Sequence, residues 1–223
     1  MSRERTRPTR EDTRDRLFAA AAGVFAEAGV AGATVEQIAL AAGFTRGAFY
    51  SNFADKNELA IAMLEDHLAR SKDRNQALLH THSDASGFVQ AMRDDEVLAD
   101  DPLHRNPLLQ IELMLYVART PELRPLLGER LRAMRGLVGG IAGTIVRASH
   151  PDAEVDDLAL GTLLIAIEDG LRLHRIIDPE TTPADAFLDA LTLLGTLVAP
   201  DSGRELGDRD GQTAHSESPT SAT

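Results

Sequence analysis

Residues 34–59 read TVEQIALAAGFTRGAFYSNFADKNEL, and the punctuation of this stretch decides the fold. Thr34 followed three positions later by Gln37 is a capping box that opens a helix, with Val35, Ile38 and Ala42 on one face. Gly43 stops that helix, Thr45 caps the next, and Phe44 just ahead of the cap can staple onto Phe49. Phe53 and the Ala54–Asp55 turn close the second helix, and Asp55 with Glu58 caps another. Two short helices joined by a glycine turn between Thr34 and Phe53 make a helix-turn-helix (34–53).

Working outward, Thr9 and Asp12 form a second capping box, opening a helix that buries Leu17, Phe18, Ala21, Phe25 and Ala28 and ends at Gly29. Residues 1–10 are an Arg-rich arm whose Arg3, Arg5, Arg7 and Arg10 either stay solvated or enter a minor groove. Downstream, the helix capped by Asp55 is predicted to run to about Ser71. Further helices are expected near 84–99, 104–119, 121–148, 155–177 and 183–199, separated by Pro102, Pro121, Pro151, Pro179 and Pro183. No alternating β-branched run and no hairpin turn interrupts them. The expected fold is all-α: a three-helix helix-turn-helix domain (11–71) joined to a C-terminal helical domain (72–199). Residues 200–223, polar and nearly free of apolar side chains, read as a disordered tail.

Composition narrows the function. The 223 residues contain no cysteine, which excludes disulfides, thiol nucleophiles and cysteine zinc sites and suits a reducing cytoplasm. The longest apolar stretches, Leu17–Ala26 and Leu158–Ile167, are half the length of a membrane span, and the charged N-terminus is unlike a secretory signal. The net charge of −12 looks hostile to nucleic acid, but all of it lies beyond residue 60. A polyanion is therefore tolerated by the first quarter of the chain and repelled by the rest.

In a helix-turn-helix the second helix enters the major groove and its first residues meet base edges. Here these are Thr45, Arg46, Gly47 and Ala48, followed by Tyr50, Ser51 and Asn52. Arg46 can pair bidentately with guanine and Asn52 with adenine, while Thr45 and Tyr50 can reach phosphates; Thr34, which caps the helix behind them, is counted with them as a DNA-binding residue. Gly47 costs about 1 kcal/mol against alanine in mid-helix, and close approach to DNA is a reason to keep it.

The stretch ATVEQIALAAGFTRGAFYSNFADKNELAIAML (33–64) resembles the DNA-binding domain of the TetR family of bacterial transcriptional regulators. The likeness rests on the capping threonine, Ala-Gly in the turn, Arg-Gly-Ala-Phe-Tyr on the second helix, then Phe53, Asp55-Lys56 and Glu58-Leu59. It implies that Lys56 binds phosphate. Asn52 stands where the family more often has histidine or tyrosine. Residues 165–180, IAIEDGLRLHRIIDPE, are similar to a segment on the family's penultimate helix, which implies that the last two helices pair with those of a second subunit.

The remaining clusters carry weaker signals. Asp94, Asp95, Glu96, Asp100 and Asp101 read as a solvated helix end. The seven histidines show no metal-ligand spacing, so neither metal nor cofactor is expected. Gly136, Gly139, Gly140 and Gly143 within one helix mark a flexible segment, a close helix approach, or room for a ligand beside Met114, Tyr116, Leu137 and Ile141. Glu168, Asp169 and Arg172 sit in the most apolar helix, lining either that pocket or a subunit interface. For the interface itself, the apolar candidates are Leu160, Leu163, Leu164, Ile167 and Leu171, with Phe187, Leu191, Leu194 and Val198 on the last helix. Gly161, Gly170 and Gly195 offer close approach across the axis.

These readings converge on a cytoplasmic homodimer that binds a palindromic operator in double-stranded DNA and is released by a small-molecule effector, without a membrane partner. The acidic second domain favours a neutral or cationic effector. The alternative is a helical interaction module or enzyme whose first unit only resembles a DNA reader. Against the enzyme, the chain has no Gly-rich phosphate loop, no His-Glu-x-x-His and no Gly-x-Ser-x-Gly.

Overall fold

The computed structural model describes residues 9–82, 84–94 and 101–198, and the described residues form ten helices and no strand. Arg3, Arg5 and Arg7, the acids Asp95, Glu96 and Asp100, the tail 200–223 and the side chain of Val198 lie outside them.

Helix α1 (Arg10–Gly32) opens on the Thr9 capping box: Thr9 Oγ1 accepts from Asp12 N at 3.0 Å and Asp12 Oδ2 accepts from Thr9 N at 2.9 Å. Arg10 is therefore helical rather than part of the arm. Gly29, at φ 69° and ψ 155°, breaks the helical run where expected, and a short turn to Gly32 follows it with Val30 buried, while Ala28 is exposed rather than buried. Helices α2 (Val35–Ala41) and α3 (Arg46–Tyr50) follow, each capped by the threonine ahead of it, Thr34 and Thr45. Between them Gly43, at φ 70°, makes the turn a side chain would strain. Arg16 of α1 seals that turn, donating to Ala42 O at 2.7 Å with its guanidinium 4.3 Å from the Phe44 ring centroid.

Helix α4 (Lys56–Thr81) runs ten residues past its expected end at Ser71. No glycine or proline lies between Lys56 and Thr81, so the polar stretch Lys72–Gln76 continues the helix rather than ending it. The expected division at 71/72 thus falls inside one continuous helix. Helix α5 (Ala85–Asp94) comes next. The single helix expected over 104–119 is two, α6 (Pro102–Arg105) and α7 (Pro107–Arg119), because Pro107 has no N–H to continue the ladder. Asn106 instead caps α7, accepting from Leu109 N. Helices α8 (Arg124–Ser149), α9 (Asp157–Ile177) and α10 (Ala186–Val198) complete the chain.

One continuous apolar core joins the first helices to the middle of the chain. Leu17, Phe18 and Phe25 of α1 and Phe49 and Phe53 belong to the same buried cluster as Leu59 of α4 and Leu109, Leu113 and Val117 of α7. Each such side chain contributes about 1.5–3 kcal/mol on burial. A second packing unit forms where α8 crosses α9. A Cβ on Gly139 would stand 1.6 Å from Asp157 O, and one on Gly161 would stand 1.9 Å from Arg135 O, so the two backbones touch. Of the three readings of the α8 glycines, close helix approach holds at Gly139. Gly161 makes its close approach within the chain rather than across a dimer axis.

Candidate nucleic-acid interface

The capping threonines and the turn at Gly43 set α3 on the surface with Phe49 and Phe53 as its anchors below. The two rings lie 5.8 Å apart, and Phe53 also packs 5.8 Å from Phe18, fixing α3 against α1. Thr34, Thr45, Arg46, Gly47, Tyr50 and Ser51 are exposed together on this face, with Ala48 half-buried. Asn52 is turned away from it: its Nδ2 donates to Ala48 O at 2.9 Å, back along its own helix. The adenine contact expected of Asn52 therefore requires a rotamer change. Arg46 is held by Glu36 of α2, Nη1 to Oε1 at 2.7 Å, and by Tyr50, whose hydroxyl accepts from Nη2 at 3.3 Å.

Lys56, which the resemblance implies binds phosphate, is engaged within the chain. Its ammonium donates to Ala31 O and Ala33 O, both at 2.8 Å, clamping the last carbonyls of α1 to the start of α4. Burial pushes the Lys56 ammonium below its ordinary value. The same nitrogen lies 5.7 Å from the Tyr116 ring centroid, and Tyr116 OH donates to Asn57 Oδ1 at 2.5 Å. Tyr116, expected in the pocket, instead joins α7 to the first turn of α4.

Farther along α4, a buried polar group escaped the sequence reading. His67 Nδ1 lies 2.6 Å from Asp101 Oδ2, and His67 Nε2 lies 3.1 Å from Gln110 Nε2. Asp101 is not part of a solvated helix end. It is 2% exposed and caps α6, accepting from Leu103 N at 2.8 Å through its other oxygen. An aspartate directly before Pro102 is the signal for that cap.

The expected ligand residues separate into three places. Leu137 and Ile141 line an open cavity of about 370 Å³ between α4 and α8, with Gln76, Leu79, His80, Gly136, Gly140 and Thr144. Met114 packs on the apolar core. Glu168, Asp169 and Arg172 are not in that lining; Arg172 bridges Glu168 at 2.5 Å and Asp169 at 3.2 Å along α9, and burial pushes the Asp169 carboxyl up. No group of three His, Asp or Glu side chains among the described residues is arranged to hold a metal.

Among the expected interface residues, Leu164 is only 7% exposed within the single chain, so a partner has almost nothing of it left to bury. Leu160, Ile167, Leu171, Phe187 and Leu191 are half-buried, and the expected Leu163 and Leu194 are exposed. The apolar residues α9 presents outward are Leu158, Leu163, Leu173 and Ile177, beside Leu193 and Leu194 of α10. The α8 crossing turns the Leu164 side of α9 inward and leaves the Leu163 side out. No helix among the described residues is long and apolar enough to cross a membrane.

Comparisons with known proteins agree with this architecture. A family model described as bacterial regulatory proteins of the tetR family matches residues 17–63, and the tetracyclin repressor-like C-terminal domain matches residues 83–197. The HTH-type transcriptional regulator TtgR of Pseudomonas putida is 29% identical over 205 residues, 79% of this chain and 86% of that protein. The HTH-type regulator CymR, also of Pseudomonas putida, is 33% identical over 115 residues, 51% of this chain; the chain spans only 55% of CymR. The crystal structure of reduced NemR of E. coli shares the fold, with a TM-score of 0.63 and 20% identity over 82% of this chain and 96% of that one. The chain belongs to the TetR family of bacterial regulatory proteins, and its first helices form a helix-turn-helix DNA-binding unit.

Proposed function

We propose that the protein is a homodimeric transcriptional repressor, acting by binding alone, that a small-molecule effector releases from a palindromic operator. The observation that carries this reading is the span of α4. Its first turn is tied to the DNA-binding unit through Lys56, and Gln76, Leu79 and His80 near its far end line the cavity against α8. A molecule wedged there acts on the helix that carries the DNA-binding unit, and it releases DNA if it favours the non-binding arrangement. Leu79, Leu137 and Ile141 suit an apolar body, and Gln76, His80 and Thr144 supply hydrogen bonds without a fixed charge. The effector class is therefore a small, uncharged, largely apolar molecule.

One helix-turn-helix reads too few base pairs for useful specificity, and a two-fold pair reads dyad-related half-sites. The outward Leu158, Leu163, Leu173 and Ile177 of α9 supply the apolar surface for that pairing with a second copy of the chain. The test starts with full-length protein enriching duplexes from a randomised pool, followed by anisotropy titration and a thermal-shift panel of uncharged apolar compounds. The expected result is a dyad-symmetric sequence, two chains per duplex, and a compound that both raises Tm and lowers operator affinity at least tenfold. Ile141→Trp should abolish that response while sparing DNA binding. Enrichment of no sequence, or release by compounds that respond equally in Ile141→Trp, would remove the reading.

A further inference from the structure

Glu36 is a feature that binding a polyanion does not call for. It puts a carboxylate, 56% exposed, on the face that meets a polyanion. Its place in the first turn of α2 and its exposed ion pair each contribute only about 0–1 kcal/mol to stability. The helix it stands on is already closed by the Thr34–Gln37 capping box. Yet its Oε1 lies 2.7 Å from Arg46 Nη1, while Tyr50 OH accepts from Nη2 at 3.3 Å and the guanidinium carbon sits 5.3 Å from the Tyr50 ring centroid. The Arg46 side chain is thus gripped from α2 on one side and from its own helix on the other, although it is largely exposed.

We infer that Glu36 is a specificity-determining positioning residue, which aims Arg46 at base edges and withholds it from phosphates. The inference rests on the DNA-binding role of the helix-turn-helix and goes beyond it. A free arginine in this place would contribute most readily as a point of phosphate attraction, which is indifferent to sequence. Pairing with Glu36 cancels that attraction at short range and removes the rotamers that would swing toward the backbone. The guanidinium has five N–H groups; Glu36 and Tyr50 each take one, and a bidentate guanine contact needs two of the three left. Ordering Arg46 before binding also lowers the entropy lost on reading the base. The balance of charge fits: residues 1–60 carry equal numbers of acidic and basic side chains, so this unit does not depend on bulk positive charge for sequence-blind adhesion.

The experiment uses the full-length chain, the palindromic duplex that the wild type enriches from a randomised pool, and a scrambled duplex of the same length and composition. Affinities for both are measured across a salt series for wild type, Glu36→Gln, Glu36→Asp, Arg46→Ala and the Glu36→Gln/Arg46→Ala double variant. Glu36→Gln should bind the scrambled duplex about 3- to 10-fold more tightly, with a salt slope steeper by about one unit per chain. Its ratio of specific to scrambled affinity should fall about tenfold, with Tm held within about 2 °C, which corresponds to less than about 1 kcal/mol. Glu36→Asp keeps the charge and loses the reach, so its ratio should fall as well. In the Arg46→Ala background Glu36→Gln should leave the ratio unchanged. The inference is overturned if Glu36→Gln keeps the wild-type ratio, if Glu36→Asp does, or if the change persists without Arg46, since Glu36 would then act by bulk repulsion. A wild type that enriches no sequence would instead overturn the DNA-reading assignment, and this inference with it.

Discussion

The carboxylate of Asp101 and the imidazole of His67 meet at 2.6 Å inside the protein, 34 positions apart in sequence, and join the cap of α6 to the middle of α4. Both side chains are under 10% exposed. Asp101→Ala leaves His67 Nδ1 and the N–H groups of Leu103 and His104 unpaired in the interior. It should cost about 3–5 kcal/mol, read by urea unfolding. A loss below about 1 kcal/mol would mean that water reaches the pair.

Acid should undo the same contact. Burial pushes the Asp101 carboxyl up, but the hydrogen bond and charge of His67, with the N–H groups of Leu103 and His104, outweigh it and hold the carboxyl below its ordinary value. Between the folded value and about 3.9 the unfolded chain binds more protons, so stability rises with pH there. The Asp101 contribution is complete above about pH 4 and is lost as pH falls through the folded value. Thermal melts from pH 7 down to pH 3 should show a steeper acid decline for wild type than for Asp101→Asn. Equal slopes would disprove the assignment.

Arg46 and Lys56 should separate cleanly. Arg46→Ala should weaken operator binding by about 1–3 kcal/mol and relax base choice at one position in each half-site. Lys56→Ala removes two charge-assisted hydrogen bonds to the end of α1, and should lower stability by about 1–3 kcal/mol. Its salt slope for DNA binding should change by less than about one unit, because its ammonium is turned to carbonyl oxygens. A full one-unit change with unaltered Tm would return Lys56 to the phosphate-binding role the family resemblance implies.

Two glycines three residues apart in α8, Gly136 and Gly139, should respond in opposite senses. Gly139→Ala drives a methyl into Asp157 O and should destabilise by several kcal/mol or separate α8 from α9. Gly136→Ala meets nothing within 4 Å and should be neutral or stabilise by up to about 1 kcal/mol in the absence of ligand. Chemical denaturation of both variants decides it, and a reversed order would show that the crossing point lies elsewhere.

Leu163→Asp should break the proposed pairing of subunits without disturbing the chain's own core, because Leu163 is 54% exposed whereas Leu164 is 7% exposed. Light scattering should report a folded monomer with operator affinity reduced at least a hundredfold, about 2.7 kcal/mol. A dimer unaffected by both Leu163→Asp and Leu173→Asp would place the interface on another face.

What the sequence disclosed was what local chemistry decides. The boxes at Thr9 and Thr34, the cap at Thr45 and the turn at Gly43 each depend on residues within a few positions, and all four are found where they were expected. The extent of α4 was harder, since a drop in hydrophobicity after Ser71 resembles an ending when no helix breaker is present. The Lys56 clamp and the His67–Asp101 contact join residues more than twenty positions apart, beyond the reach of caps and periodicity. On α9 two neighbouring stripes are apolar, and periodicity alone does not say which one its own chain has already covered. Only the Gly139–Gly161 crossing decides that.

That crossing also sets the mechanics of the molecule. Backbones in contact cannot slide or rock easily, so α8 and α9 behave as a stationary frame, while α4 is a stiff rod of 26 residues laid across it. At 1.5 Å per residue the rod is about 39 Å long, comparable to the about 34 Å between successive turns of the major groove. Tilting such a rod by about 5° about one end displaces the other by about 3 Å, and two rods related by a two-fold axis in a dimer would double the change in spacing. Under the proposed mechanism, a ligand between α4 and α8 need only tilt the rod slightly against that frame to put both reading helices out of step with the groove.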